Sequence, residues 1–150
     1  PRFGWLSILR IGLVQASLGA VVVLMTSTLN RVMVVELGLA AAVPGALVAL
    51  HFAVQLWLRP HLGHASDRTP RRTPWIVGGV ALLALSGVAA AMTLPVLQAT
   101  PALGTVLAVL AFATLGGAVS MAGTPLLALL AERTAPERRA AAAALTWLCM

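Results

Sequence analysis

Long uncharged apolar runs constrain this chain more than any other feature. Residues 11–29, 37–58 and 73–131 contain no acidic side chain, lysine or arginine. An α-helix rises 1.5 Å per residue, so about 20 apolar residues cross the hydrocarbon core of a bilayer. Only 9% of the residues are charged, whereas soluble domains have about 25%. We therefore predict an all-α integral membrane protein and exclude a water-soluble enzyme.

Five helices are predicted within a single domain, residues 1–150. Four are long enough to span a membrane, and the fifth is only the beginning of a helix. We therefore expect the N-terminal part of a longer protein. The predicted helices cover residues 5–31, 39–58, 74–94, 103–131 and 140–150.

A polar interval, residues 58–75, separates the second and third predicted helices. It contains four arginines, and Asp67 is its only acid. Basic loops between membrane helices tend to stay in the cytoplasm. Nine arginines fall on this side of the predicted topology and only Arg31 on the other, so we predict a cytoplasmic N-terminus. The net charge of +6 then reflects topology and lipid contact rather than nucleic acid binding.

The polar interval also has a specific internal spacing. It resembles the loop signature of the major facilitator superfamily, Gly-x-x-x-Asp-Arg-x-Gly-Arg-Arg, with Pro70 where that family usually has glycine. The resemblance implies a major facilitator helical bundle in which this loop is a structural latch. A solvated turn that only sets topology is the alternative. The matching residues are Gly63, Asp67, Arg68, Arg71 and Arg72.

Four segments resemble one branch of that superfamily, the bacteriochlorophyll-delivery branch with PucC-like and LhaA-like proteins. The segments are STLNRVMVVELGL (27–39), PGALVALHFAVQ (44–55), RPHLGHASD (59–67) and RRTPWIVGG (71–79). The resemblance implies a twelve-helix, multi-pass protein of the bacterial cytoplasmic membrane, either inner or intracytoplasmic photosynthetic membrane. It also implies an assembly factor that hands bacteriochlorophyll to light-harvesting antenna polypeptides or chaperones them. The implied partners are antenna polypeptides or a reaction centre–antenna complex, lipid and pigment, without nucleic acid.

His51 and Gln55 are the candidate pigment-binding residues. They lie four residues apart in the second predicted helix and therefore share one face. A neutral imidazole can ligate a metal, here the magnesium of bacteriochlorophyll, and ionisable residues inside a membrane are usually functional. A hydrogen bond from His51 to a neighbouring helix is the alternative. Bacteriochlorophyll, as cargo or ligand, is the only cofactor implied, and no other metal is predicted.

Two further polar clusters are predicted at the membrane boundaries. Asn30, Arg31 and Glu36 form an outer-face cluster that a gate, a partner contact or an interfacial cap would each explain. The spacing of Arg31 and Glu36 makes a poor helical pair, so a bend or a partner on another helix is expected. A cytoplasmic charge network is predicted after the fourth helix, from Glu132, Arg133, Glu137, Arg138 and Arg139.

Two functions compete with antenna assembly by a pigment-binding protein. One is a conventional major facilitator transporter of a small solute, working by alternating access. The other is a pigment-free assembly scaffold. We expect no buried acid and no buried basic residue in the predicted spans apart from His51, which disfavours proton coupling and favours a lipophilic cargo. The sequence contains no catalytic motif, so we do not expect an enzyme.

Overall fold

The computed structural model describes residues 2–150. This part of the chain is helical, and four of its helices are long and apolar enough to cross a membrane. That result confirms the predicted all-helical chain with four helices of membrane-spanning length. The helices are α1 Trp5–Glu36, α2 Ala42–Asp67, α3 Thr73–Ala99, α4 Pro101–Arg133 and α5 Arg139–Cys149, with a 3₁₀ turn at Pro136–Arg138.

α1 is one continuous helix that widens twice in its second half. Its regular turns are followed by π-helical segments at Leu24–Thr28 and Val32–Glu36. π-helical segments are rare in proteins, and many of those that occur are at functional sites. The helix ends before Gly38, whose φ of 65° is a left-handed conformation that glycine adopts without a Cβ penalty. α1 therefore continues five residues beyond its predicted end.

α2 extends well past the predicted boundary at residue 58. It continues through Arg59 and Pro60 to Asp67, so most of the polar interval is helical and only residues 68–72 connect α2 to α3. The extension packs on α4, where a Cβ at Gly63 would lie 3.3 Å from the side chain of Thr124. Hydropathy marks where a chain leaves the lipid, whereas a packed helix can continue into water.

α3 and α4 form an antiparallel hairpin joined by a single residue. The connection expected between the predicted helices 74–94 and 103–131 is reduced to Thr100, because α3 continues past Pro95 and α4 begins at Pro101. Proline is well suited to the first helical position, where its missing N–H has no intrahelical partner to lose. The hairpin consequently adds length to both membrane helices.

α4 is the central helix and the most buried of the four membrane helices. Glycines allow its neighbours to approach closely. A Cβ at Gly79 of α3 would overlap the backbone of Ala122, and one at Gly116 would lie 2.5 Å from the carbonyl oxygen of His51 on α2. α1 and α5 pack against the C-terminal end of α4 through an apolar cluster of Ile8, Leu130 and Ala142.

Candidate functional site

Three side chains of α2, His51, Gln55 and Arg59, form a polar ladder along one face. They are spaced four residues apart, which places them on successive turns. Nη2 of Arg59 donates to Oε1 of Gln55 at 2.8 Å, and Nε2 of Gln55 lies 2.6 Å from Nε2 of His51. Because arginine can only donate, the amide NH₂ of Gln55 must face His51. Nε2 of His51 is therefore the acceptor, and its ring proton is on Nδ1.

The imidazole of His51 lies inside the helix packing. The residue is 0% exposed, and Phe52 contacts the ring edge-on with 5.0 Å between the ring centroids. Nδ1 is buried and has no hydrogen-bond partner among residues 2–150. The ladder thus ends in an N–H that can donate to an acceptor.

This geometry does not fit magnesium ligation by His51. A magnesium ligand needs a free lone pair on a ring nitrogen and an open side for the pigment macrocycle. The lone pair of Nε2 accepts a hydrogen bond from Gln55, Nδ1 carries the proton, and the ring is enclosed. The alternative prediction was a hydrogen bond to a neighbouring helix, but the bond is made within α2 itself.

Arg72 is the centre of the connection between α2 and α3. Its Nη2 lies 2.6 Å from Oδ1 of Asp67 and 2.6 Å from Oε1 of Glu132. Nη1 donates to Oγ of Ser66 at 3.0 Å. Hydrogen bonds to Glu132 and then Asp67 raise the pKa of Arg72 above its ordinary value, so the guanidinium stays charged. Arg72 therefore ties the end of α2 to the last turn of α4.

The predicted latch residues divide into two groups. Asp67 and Arg72 come together, whereas Arg68 and Arg71 are exposed and have no ion pair within the described range. Gly63 contributes its carbonyl oxygen, which accepts from the hydroxyl of Ser66 at 2.9 Å. The role of the latch remains a prediction.

The predicted charge network after α4 is a set of separate contacts. Glu132 pairs with Arg72, the carbonyl of Arg133 accepts from the N–H of Phe3 at 2.7 Å, and Arg138 lies 5.7 Å from the Trp5 ring centre. The last two contacts tie the end of α4 and the segment after it to the beginning of α1. The side chains of the set are exposed: Glu132, Arg133, Glu137, Arg138 and Arg139.

The predicted outer-face cluster lies on the π-helical half of α1. Asn30, Arg31 and Glu36 are exposed, and the structure gives none of their side chains a hydrogen bond or ion pair among residues 2–150. Arg31 directly precedes the segment Val32–Glu36, and Glu36 is its last residue. The expected departure from a regular helix is therefore a widened turn.

An apolar groove of about 510 Å³ lies between α3 and α4. All the residues that line it are uncharged, among them Leu85, Met92 and Leu110. The hydroxyls that reach it, such as Ser86 and Thr114, donate to carbonyls of their own helices at 2.7 Å. The groove therefore presents an apolar surface. Sequence reasoning missed it because it is formed by two helices together.

A smaller cleft of about 180 Å³ lies between α1, α2, α4 and α5. Arg59, the last residue of the polar ladder, lines this cleft together with Gln15 and Thr124. We refer to it as the Arg59 cleft. Neither Arg59 nor Gln15 was a candidate from the sequence, because a lone arginine near a helix end is typical of a membrane boundary.

Comparison with known proteins identifies the family. The family model described as PUCC protein matches residues 28–150. The chain belongs to the PUCC protein family. This confirms the resemblance to PucC-like proteins, while the wider major facilitator assignment remains a prediction. No solved structure matches the chain.

Curated relatives of this PUCC family member come from Rhodobacter capsulatus and Cereibacter sphaeroides. It is 52% identical over 147 residues, 98% of the chain and 34% of the relative, to "Bacteriochlorophyll synthase 44.5 kDa chain" of Rhodobacter capsulatus. "Protein PucC" of the same organism is 34% identical over 87% of the chain and 31% of its own length. "Protein PucC" of Cereibacter sphaeroides is 37% identical over 81% and 29%, respectively. The chain spans about a third of the length of these relatives.

Proposed function

We propose that this protein is an assembly factor for light-harvesting antenna complexes, which binds or delivers bacteriochlorophyll and chaperones antenna polypeptides in a phototrophic bacterium. The observation that carries the proposal is the PUCC family match over residues 28–150. A relative named for a bacteriochlorophyll synthase chain, 52% identical over nearly the whole chain, supports the link to pigment. The partners are antenna polypeptides or a reaction centre–antenna complex, with lipid.

The groove between α3 and α4 supports a lipophilic cargo. Its volume of about 510 Å³ lies within the range of roughly 300–1,000 Å³ that small-molecule sites occupy. Its lining is uncharged and its hydroxyls are turned to their own backbones. Such a surface suits one apolar face of a tetrapyrrole better than a hydrophilic solute. In this proposal the pigment is a cargo that lies in the groove, and His51 does not ligate it.

The proposed architecture is a major facilitator bundle with the N-terminus in the cytoplasm. The support is the excess of arginine at the α2–α3 and α4–α5 connections, which matches the positive-inside bias. Within this bundle Arg72 would hold the two cytoplasmic connections together through Asp67 and Glu132. We place the protein in the cytoplasmic or intracytoplasmic photosynthetic membrane.

We propose a non-catalytic role, although one relative is named as the chain of a synthase. Binding and handover of an apolar pigment need a complementary surface and no nucleophile or acid–base pair. An assay of the complete protein for chemical change in added pigment tests this point, since turnover above the level of an empty membrane would contradict it.

Co-purification tests the proposed function directly. The complete protein is extracted gently from its native membrane, its absorption spectrum is recorded, and the accompanying polypeptides are identified. Bacteriochlorophyll bands in a fixed ratio with antenna polypeptides are expected. Antenna polypeptides without pigment would favour the scaffold, and the absence of both would favour the solute transporter.

Two matched substitutions on α3 locate the pigment. Ala89→Trp fills the groove from an exposed position, whereas Ala84→Trp places the same side chain at an exposed position that does not line the groove. We expect the pigment content of Ala89→Trp to fall several-fold, because the new side chain occupies the apolar surface that the pigment would bury. Ala84→Trp should keep its pigment. Equal pigment in both variants would exclude the groove.

A further inference from the structure

We infer that the Arg59 cleft binds an anionic head group, the phosphate of an anionic phospholipid being the source that its position favours. This site is separate from the groove between α3 and α4, and its existence does not depend on pigment binding. The inference rests on three observations: an arginine without an acidic partner, a buried amide oxygen to which no group donates a hydrogen bond, and the size of the cleft together with its position near the membrane surface.

Arg59 carries a positive charge that no acid balances within the described chain. Both ion pairs among residues 2–150 belong to Arg72, and the hydrogen bond of the Arg59 guanidinium goes to the neutral amide of Gln55 at 2.8 Å. That bond uses one N–H of Nη2. The remaining donors form a planar fork suited to the two oxygens of a phosphate or carboxylate.

Gln15 is the second observation that points to a ligand. Its side chain is 4% exposed and lines the same cleft, yet its Oε1 is buried without a hydrogen-bond partner. Its Nε2 donates to the sulfur of Met150 at 3.2 Å, so the amide is already oriented and its oxygen is the free acceptor. A buried carbonyl oxygen without a partner is unfavourable. A hydroxyl on the ligand would satisfy it.

The size of the cleft selects a head group rather than a pigment. Its volume of about 180 Å³ equals roughly six water molecules at about 30 Å³ each. A phosphate with a short polyol fits this space, whereas a tetrapyrrole macrocycle does not. Together with Arg59 and Gln15, the volume indicates a phosphoglycerol-type head group, in which the phosphate pairs with arginine and a hydroxyl donates to the amide.

The position of the cleft favours a lipid over a soluble anion. Trp57, an exposed residue two positions before Arg59, is of the type that lies at the membrane–water interface. α2 rises about 3 Å between the two residues, so Arg59 lies near the depth of lipid phosphates. The apolar side chains of Leu18 and Leu127 complete the cleft and can contact the beginning of an acyl chain.

Lipid binding to the complete protein tests the inference. The protein is delipidated in detergent and titrated with phosphatidylglycerol, phosphatidic acid or inorganic phosphate, with bound ligand followed by native mass spectrometry. We expect phosphatidylglycerol to bind more tightly than phosphatidic acid, because only the former offers the hydroxyl. Phosphate that occupies the cleft while neither lipid binds would overturn the lipid assignment.

Matched variants identify the residues. Arg59→Gln should weaken phosphatidylglycerol binding by about tenfold or more through loss of the charged hydrogen bonds, and Arg59→Lys by less, because it keeps the charge. Arg10→Gln removes an exposed arginine of α1 outside the cleft and should bind like the unaltered protein. Equal weakening by Arg10→Gln and Arg59→Gln would mean non-specific attraction and overturn the site.

Gln15→Leu provides an independent test of the proposed site if the Arg59→Gln variant fails to fold. It should abolish the preference for phosphatidylglycerol over phosphatidic acid while retaining binding of both lipids. A preference unchanged in a folded Gln15→Leu variant would contradict the proposed hydroxyl contact.

Discussion

Arg72 and Glu132 are sixty positions apart in the sequence and are joined by two hydrogen bonds, Nη2 to Oε1 at 2.6 Å and Nε to Oε2 at 3.2 Å. The side chain of Arg72 is only 12% exposed, while that of Glu132 is 55% exposed. The pair therefore connects the beginning of α3 with the end of α4 at the edge of the bundle. Water weakens the electrostatic attraction there, but the two hydrogen bonds fix the relative orientation of the two side chains.

A double-mutant cycle should detect this connection. We expect Arg72→Ala and Glu132→Ala to be coupled by about 0.5–1 kcal/mol, the size of an exposed pair with good geometry. The measurement is denaturant unfolding of the complete protein in detergent, and Arg71→Ala is the control, since Arg71 is exposed and unpaired within the described range. Strictly additive effects of the two substitutions would refute the connection.

The same coupling should not change between about pH 7 and pH 9, a range far below the ordinary pKa of arginine. Hydrogen bonds to Glu132 and Asp67 raise the pKa of Arg72 further. A raised pKa of a basic group stabilises the fold below the ordinary value, and the stabilisation is lost only as pH rises through the raised value. Repeating the cycle at both pH values checks this, and a decline at pH 9 would argue against a charged Arg72.

Two substitutions of His51 separate ligation from hydrogen bonding. His51→Gln retains an acceptor for the amide of Gln55, whereas His51→Leu leaves that amide unpaired. We therefore expect His51→Leu to be less stable than His51→Gln by about 1 kcal/mol, as measured by thermal unfolding, with equal pigment content in both. A His51→Gln protein that unfolds like the original but has lost its pigment would restore His51 as a magnesium ligand.

Close helix contact at Gly116 predicts a large effect of a single methyl group. A Cβ added at Gly116 would lie 2.5 Å from the carbonyl oxygen of His51. The backbone of α2 at His51 cannot move aside as a flexible side chain could. Gly116→Ala should destabilise the protein by about 1–3 kcal/mol through overpacking. Gly45→Ala, at a helical position with nothing within 4 Å, should be neutral or stabilising by up to about 1 kcal/mol. Similar unfolding midpoints for both variants would contradict the packing of α2 on α4.

The proposed orientation predicts which connections react from outside the cell. In a Cys149→Ser background, Thr100→Cys lies in the α3–α4 turn and Pro70→Cys in the α2–α3 connection, and both positions are exposed. A membrane-impermeant maleimide added to spheroplasts should label Thr100→Cys at once and Pro70→Cys only after lysis. The opposite pattern would place the N-terminus outside.

Pro95, Pro60 and the polar interval explain why several helix ends were misplaced. Charged residues and prolines led to a predicted end of α2 at residue 58 and of α3 at residue 94, but the helices continue to Asp67 and Ala99. These signals report where the chain meets water and where one backbone hydrogen bond is missing. They do not report the packing on α4 that holds an extended helix in place.

The candidate site was only partly accessible from the sequence. The four-residue spacing of His51 and Gln55 placed them on one face, but the direction of their hydrogen bond depends on Arg59, which was assigned to the loop. Glu132 and Arg72 were predicted in two separate clusters, because nothing in a linear sequence indicates that the ends of two connections meet. The groove and the Arg59 cleft had no local signal at all.

The sequence by itself determined that this chain consists of helices long and apolar enough to cross a membrane, since its uncharged runs match the thickness of a bilayer core. Its wording was also sufficient to recognise PucC-like proteins. The tertiary structure alone decided which side chains share an environment. His51 became a buried hydrogen-bond acceptor because α2 packs closely on α4 at glycine positions. Arg59 came to line a cleft because residues of α1, α4 and α5 meet beside it. Periodicity describes one helix at a time, and a binding surface requires the relative positions of several.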